Sequence, residues 1–219
     1  MMALELIEKM NLNPGDRALD VGCGLGGSAF LMAVRFGLLV DGVDLSRNML
    51  DMANRKRVAH GLEERVRLEC GDCLDLDRPG YYDAVYSRDV FLHISDKARL
   101  FSVLQRSLRP GGTLLFTDYC CGEQPWHTEF EDYVRNRGYC LHTLLEYTRL
   151  VSEAGFDSVE CSDLTVRFIQ ILQSDLDRIE QLDLAERVRT SLEQSWQGKL
   201  NRCQSGDLQW GLITAVKPA

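Results

Sequence analysis

The sequence lacks any apolar run long enough to cross a bilayer, and its opening, MMALELIEK, lacks the apolar segment of a signal peptide. A helical membrane span is thereby excluded, and a cytosolic protein is expected. Cations are also scarce. Twenty-five Lys and Arg against 33 Asp and Glu leave a net charge of −8, which excludes a nucleic-acid backbone as main partner, because phosphate contacts need clustered Lys and Arg. A local basic pocket for a small anion stays open. Metal-ligand spacings are missing too. Among Cys23, Cys70, Cys73, Cys120, Cys121, Cys140, Cys161 and Cys203, only Cys70 and Cys73 make a C-x-x-C, with no second pair or His at zinc spacing. No metal site is expected. At 219 residues the chain has its own core, so most cysteines are expected as buried free thiols rather than a disulfide framework. Repeats and low-complexity segments are absent.

What is present is a regular alternation. Apolar strands are predicted over Arg17–Val21, Leu39–Leu45, Val66–Cys70, Tyr82–Ser87 and Thr113–Asp118. Helices are predicted over Ser28–Phe36, from an N-cap at Ser46 to His60, and from a cap at Ser95 or Asp96 to the Arg109–Gly112 turn. Strands alternating with helices mean a parallel sheet covered on both faces. From Cys120 to Gly155 the pattern turns helical and polar. A short strand at Ser158–Cys161, a long charged helical stretch from Thr165 to Arg202, and a closing strand at Leu208–Lys217 follow. The expected fold is α/β: a doubly wound, mostly parallel, seven-stranded Rossmann-like sheet with helical lid insertions. One domain spans residues 1–219, with a cofactor core over about 13–119 and a substrate lid and late strands over about 120–219.

The stretch DVGCGLGGSAF, Asp20–Phe30, carries the first chemistry. Gly22, Gly24 and Gly27 spell a dinucleotide-binding G-x-G-x-x-G. Gly22, Gly24 and Gly26, with an acid two residues before, equally suit S-adenosylmethionine, which has no pyrophosphate. Both readings use the glycines for close backbone approach, and Asp44, with Leu45 beside it, to grip ribose hydroxyls. Three features decide for S-adenosylmethionine. Asp20 can meet its cationic end, Asp72 after the third strand can accept from the adenine amino group, and a late hairpin-like strand pair suits the methyltransferase version of the sheet. Taken singly, each acid could as well cap a turn; together around one glycine loop they point to a ligand.

The second informative stretch, YSRDVFLHISD, lies at the carboxyl end of the fourth strand, where open α/β sheets bind ligands. It puts Ser87, Arg88, Asp89 and His93 on the rim. With LRPGGTLLFTDYC, EFEDYVRNRGYCLHT and QWGLITAVK, it resembles the phosphoethanolamine N-methyltransferases from about Asn13 to the end, Asp118–Tyr139 being the most specific part. The resemblance implies that His93 takes a proton from the amine and that Asp89 lies in the phosphobase pocket. It further implies that Tyr119, Tyr133, Tyr139 and Arg137 grip the phosphate, with Lys199 adding charge. Asp20, Gly22, Asp44, Asp72, Cys73 and the Ser87–Arg88 pair fall on its cofactor positions. Independently, Tyr133 and Arg137 are four apart and share a helix face, although periodicity alone would make that face merely solvated.

The family also implies an N-terminal lid whose tyrosine pairs with the catalytic histidine. Here only some twenty residues precede the glycine loop, and the first tyrosine is Tyr81. The chain is therefore expected to be a fragment, a shortened isoform or one half of a longer two-domain protein. Three readings follow. The first is methyl transfer from S-adenosylmethionine to phosphoethanolamine and its mono- and dimethyl forms, towards phosphocholine. The others are a methyltransferase for another small acceptor, and a weakly active form that binds cofactor or a partner. A dinucleotide-dependent oxidoreductase is more distant.

Overall fold

Apolar runs at the centre of the sheet become strands buried on both faces, whereas its edge strands are largely exposed. In a computed structural model describing residues 2–219, these strands are Arg17–Val21 (β1), Leu39–Asp44 (β2), Val66–Cys70 (β3), Tyr82–Arg88 (β4), Leu108–Cys121 (β5), Asp157–Asp163 (β6) and Leu208–Val216 (β7). They form one sheet in the order β3-β2-β1-β4-β5-β7-β6. The first five are mutually parallel, while β7 runs antiparallel to both β5 and β6. The expected mostly parallel, seven-stranded, Rossmann-like sheet is therefore present.

The helices are Met2–Glu8 (α1), Gly27–Phe36 (α2), Arg47–Ala59 (α3), Lys97–Ser107 (α4), Thr128–Arg137 (α5), Leu144–Glu153 (α6), Thr165–Gln181 (α7) and Glu186–Gln204 (α8). Neighbouring strand residues send their side chains to opposite faces. Leu19, Val85, Leu114 and Phe116 pack on one side with Phe101 of α4 and Tyr147 of α6. Ala18, Ala84, Tyr86 and Leu115 pack on the other with Met32 of α2 and with Leu6 and Ile7 of α1. A third cluster, around Trp210, joins Phe130, Phe168, Leu172 and Leu200 of α5, α7 and α8 over the ends of β5 and β7. No helix among the described residues is long and apolar enough to cross a membrane.

Capping sets the helix starts as expected: Ser46 accepts from Met49 N and Asp96 from Arg99 N. Four expectations need correction. The fifth strand begins at Leu108 and runs to Cys121, because Gly111 and Gly112 exchange backbone hydrogen bonds with Lys217 instead of forming a free turn. The stretch from Cys120 to Gly155 is accordingly a strand end followed by two helices. The stretch from Thr165 to Arg202 is also two helices, broken at Leu182. There the Arg189 guanidinium donates to the carbonyls of Ile179, Glu180 and Leu182, and so satisfies the end of α7. The late strands do pair, but α7 and α8 lie between them in sequence, so they form no hairpin. The eight thiols are free; Cys23, Cys73, Cys120, Cys121 and Cys203 are buried, Cys140 and Cys161 half-buried, and Cys70 exposed.

Candidate active site

The chain leaves β1 through a turn that only glycine can make. Gly22 has φ +71°, and a Cβ there would come within 2.3 Å of Val90 Cγ2. Its N–H and that of Cys23 donate to Val43 O at 2.8 and 3.2 Å, which moors the turn on the end of β2. Gly24 N donates to Asp44 Oδ2, and Ser46 N to Asp44 Oδ1, each at 2.8 Å. Both carboxylate oxygens thus have a donor and keep capacity for a further one. Asp72 Oδ1 accepts from Leu74 N at 2.9 Å and leaves its second oxygen free of that bond.

Between these segments opens a cavity of about 570 Å³. Gly22, Asp44, Leu45, Asp72, Cys73, Asp89 and His93, all singled out from sequence, line it. Asp20, Gly24, Ser87 and Arg88 do not. The alternation that puts Val21 on the cavity side turns Asp20 into the protein, where it is 2% exposed with Oδ2 unpartnered. Burial pushes its carboxyl up to about 7, helped by Asp44 and opposed by the backbone N–H of Ala29. Ser87 is buried and donates to Val21 O at 2.9 Å, so it ties the ends of β1 and β4 together. Arg88 is exposed beside Asp89, 3.9 Å from Oδ2.

On the other side of His93 the aromatic and cationic residues converge. Asp89 takes a left-handed backbone conformation, φ 57°, on leaving β4. Its Oδ1 accepts from Thr117 Oγ1 at 2.9 Å and Trp210 Nε1 at 2.7 Å. Burial raises the Asp89 carboxyl, and these two bonds, with Arg88 and Lys199, pull it back down. His93 sits at the end of a single 3₁₀ turn, Phe91–His93, its ring edge-on to Tyr139 with centroids 5.2 Å apart. Burial lowers its imidazole below the ordinary value, and the Lys97 ammonium lowers it further.

Tyr139 in turn meets Tyr133 edge-on at 5.6 Å. Arg137 lies 5.8 Å from the centre of the Tyr133 ring and Arg202 only 3.7 Å. Lys199 Nζ donates to Tyr119 OH at 3.0 Å and lies over the Trp196 ring. Burial pushes the Lys199 ammonium down; Asp89 raises it, while Arg202 and Arg137 lower it. The structure therefore assembles Tyr119, Tyr133, Arg137, Tyr139 and Lys199, which sequence reasoning took from resemblance. It adds three residues that were missed. Arg202 follows Lys199 by three positions on α8, a spacing that puts both on one face. Trp210 and Thr117, which hold Asp89, come from strands β7 and β5 and carry no local signal.

Comparison with known proteins agrees. A family model for a methyltransferase domain matches residues 18–112. The chain is 40% identical over 220 residues to phosphoethanolamine N-methyltransferase 1 of Arabidopsis thaliana, covering 97% of this chain and 44% of that protein. It is 32% identical over 223 residues to phosphoethanolamine N-methyltransferase of Plasmodium falciparum, covering 97% and 83%. Phosphoethanolamine N-methyltransferase 2 of Haemonchus contortus, solved with phosphomonomethylethanolamine and S-adenosylhomocysteine, superposes with TM-score 0.95 at 34% identity. That match covers all of this chain and 52% of the other. The chain thus spans less than half the length of the plant relative. Sheet, cavity and sequence agree: the chain belongs to the phosphoethanolamine N-methyltransferase family.

Proposed function

We propose that this chain methylates the amine of phosphoethanolamine, or of its mono- and dimethyl forms, with S-adenosylmethionine as donor. The observation that carries this reading is continuity. His93 forms part of the wall of the cavity and also touches Tyr139, the first residue of a tyrosine–arginine–lysine cluster suited to a phosphate.

The residues fit the donor. A buried carboxylate oxygen of Asp20 lies unpartnered under the glycine turn, and a cation nearby would favour its ionised form. Asp44 and Asp72 retain acceptor capacity for ribose hydroxyls and an adenine amino group. When bound, S-adenosylmethionine supplies an electrophilic methyl carbon on sulfur. An ethanolamine nitrogen is protonated at neutral pH and must lose a proton to expose its lone pair. His93 accepts that proton, because burial and Lys97 keep its imidazole neutral and ready. Asp89, held by Thr117 and Trp210, faces the same cavity and favours a cationic amine head. Arg137, Lys199, Tyr119, Tyr133 and Tyr139 hold the phosphate by charge-assisted bonds.

The test is methyl transfer to phosphoethanolamine and its mono- and dimethyl forms, beside ethanolamine without phosphate. Turnover should need the phosphate and fall about 100-fold or more in His93→Ala, the scale of a lost general base. Equal turnover of plain ethanolamine would sink the phosphate assignment. Cofactor binding without any turnover would favour a form that binds cofactor or a partner.

A further inference from the structure

Lys97 is a lysine in an unusual place. It opens α4, yet only 3% of it is exposed. An ammonium taken out of water is costly unless its three N–H groups find partners. Here they do. Nζ donates to Ile94 O and, at 2.9 Å, to Cys140 O, and it lies 5.8 Å from the centre of the Tyr147 ring. The two carbonyls belong to the two segments that meet in the active site: Ile94 follows His93, and Cys140 follows Tyr139. A backbone bond from Cys140 N to Leu92 O at 2.7 Å runs alongside.

We propose that Lys97 is a positioning residue, whose ammonium staples the His93 turn to the Tyr139 segment and so holds the imidazole edge-on to that tyrosine. The inference rests on the methyl-transfer reading for its kinetic part. The staple matters because the 3₁₀ turn that carries His93 is one turn long, and it has no side-chain cap. A shift of about 1 Å between proton acceptor and amine can cost 100-fold in rate.

The groups around His93 and Lys97 come from several elements. Tyr139 lies beside the imidazole, and Asp89 and Asp72 share its cavity. Around the ammonium lie Asp118 and Cys120 of β5, Cys140, and Tyr147 of α6, with His142 affected by the same charge. Asp118 is fully buried, hydrogen-bonded to Tyr147 OH, and raised to about 8 by burial. Burial also pushes the Lys97 ammonium down while Asp118 raises it, and the positive charge it carries acts on His93. That charge lowers the imidazole, so the residue that positions the base also keeps it unprotonated.

The experiment is an NMR titration of the His93 imidazole, identified by its loss in His93→Gln, in the wild type, Lys97→Met and Lys97→Arg. Cofactor binding serves as the control for folding. The wild-type imidazole should titrate below about 6.5, the value of an unperturbed histidine. In Lys97→Met it should titrate higher, with Lys97→Arg restoring the wild-type midpoint. In the transfer assay Lys97→Met should lose about 10- to 100-fold in kcat with KM little changed, and the acid limb of the pH profile should move up. A folded Lys97→Met with an unmoved His93 midpoint and pH profile would overturn the proposal. So would a wild-type midpoint at or above that of an unperturbed histidine, a result that needs no Lys97 variant to fold. The titration also separates the two readings. A Lys97-dependent midpoint without turnover on any phosphobase would remove the proposed substrate and leave the staple standing.

Discussion

At position 22 a side chain has nowhere to go. Gly22→Ala forces a positive φ on alanine, worth about 1–2 kcal/mol, and drives its Cβ into Val90, next to Asp89 in the cavity wall. The expected outcome is a loss of at least that much stability in urea, with a marked drop in S-adenosylmethionine affinity by calorimetry; unchanged affinity would show that the turn does not shape the site. Arg202 makes a different kind of prediction. It lies over Tyr133 beside Lys199, and a charged hydrogen bond to a phosphate is worth about 1.5–3 kcal/mol. Arg202→Met should therefore raise KM for phosphoethanolamine about 10- to 100-fold with kcat nearly kept. A KM within twofold of wild type would confine Arg202 to packing. Both residues were only partly legible in the sequence. Gly22 stands out in its motif, but the Val90 side chain that makes it indispensable is nearly seventy positions away. Arg202 ends a long charged helical stretch whose role the sequence does not give.

Among the elements, α6 shows how local chemistry and burial combine. Thr143 accepts from Glu146 N, and Glu146 reaches back to Thr143 N, a complete capping box. The helix then buries Tyr147 and Val151 beneath Phe101 and Phe116. Thr143→Ala should cost about 1 kcal/mol of stability, read as a lower urea midpoint, and leave cofactor affinity alone. A change in affinity would mean that α6 is coupled to the site through more than its position. The capping residues of α3 and α4 were legible because N-caps act within four residues. The division of α7 from α8 was not, because it depends on Arg189 folding back onto three carbonyls of the preceding turn. The extension of β5 was hidden for the same reason. Its first residues pair with Lys217, at the far end of the chain.

At the scale of the whole molecule, buried acids raised on folding, Asp20 and Asp118 along with Asp89, shape how stability responds to pH. Burial raises Asp20 to about 7 and Asp118 to about 8. An acid raised on folding holds its proton longer in the native state than in the unfolded chain. Its contribution is complete below the unfolded value and is lost as pH rises through the folded one. His93 and His142 are lowered on folding, and their contribution is complete once pH passes the ordinary histidine value. Between pH 6.5 and 8, about where only the acids still titrate, Tm of the wild type should fall relative to that of Asp118→Asn. The asparagine can still accept from Tyr147 and carries no titrating proton. Parallel Tm curves would show that Asp118 does not change its protonation there. S-adenosylmethionine should raise Tm at any of these pH values, by about 2.7 kcal/mol of stabilisation at a hundredfold excess over Kd. A dinucleotide should not.

The sequence alone determined the α/β class, the strand count, the glycine turn with Asp44 and Asp72 around it, and the rim position of Asp89 and His93. These depend on apolar periodicity, on glycine placement and on residues at strand ends, which the sequence records directly. The tyrosine–arginine–lysine cluster reached the sequence reading only through family resemblance, since Tyr119, Tyr133, Tyr139 and Lys199 lie on different elements and share no local pattern. Only the tertiary structure decided which side chains face the cavity, turning Asp20 and Ser87 inward at strand ends where a one-residue alternation separates wall from core. It alone brought Thr117 and Trp210 to Asp89, Arg202 to Tyr133, and Lys97 to the carbonyls of Ile94 and Cys140. The physical reason is common to all of these. A hydrogen bond or a stacked cation acts over a few ångströms in space, and the chain brings its partners together only once the sheet has closed.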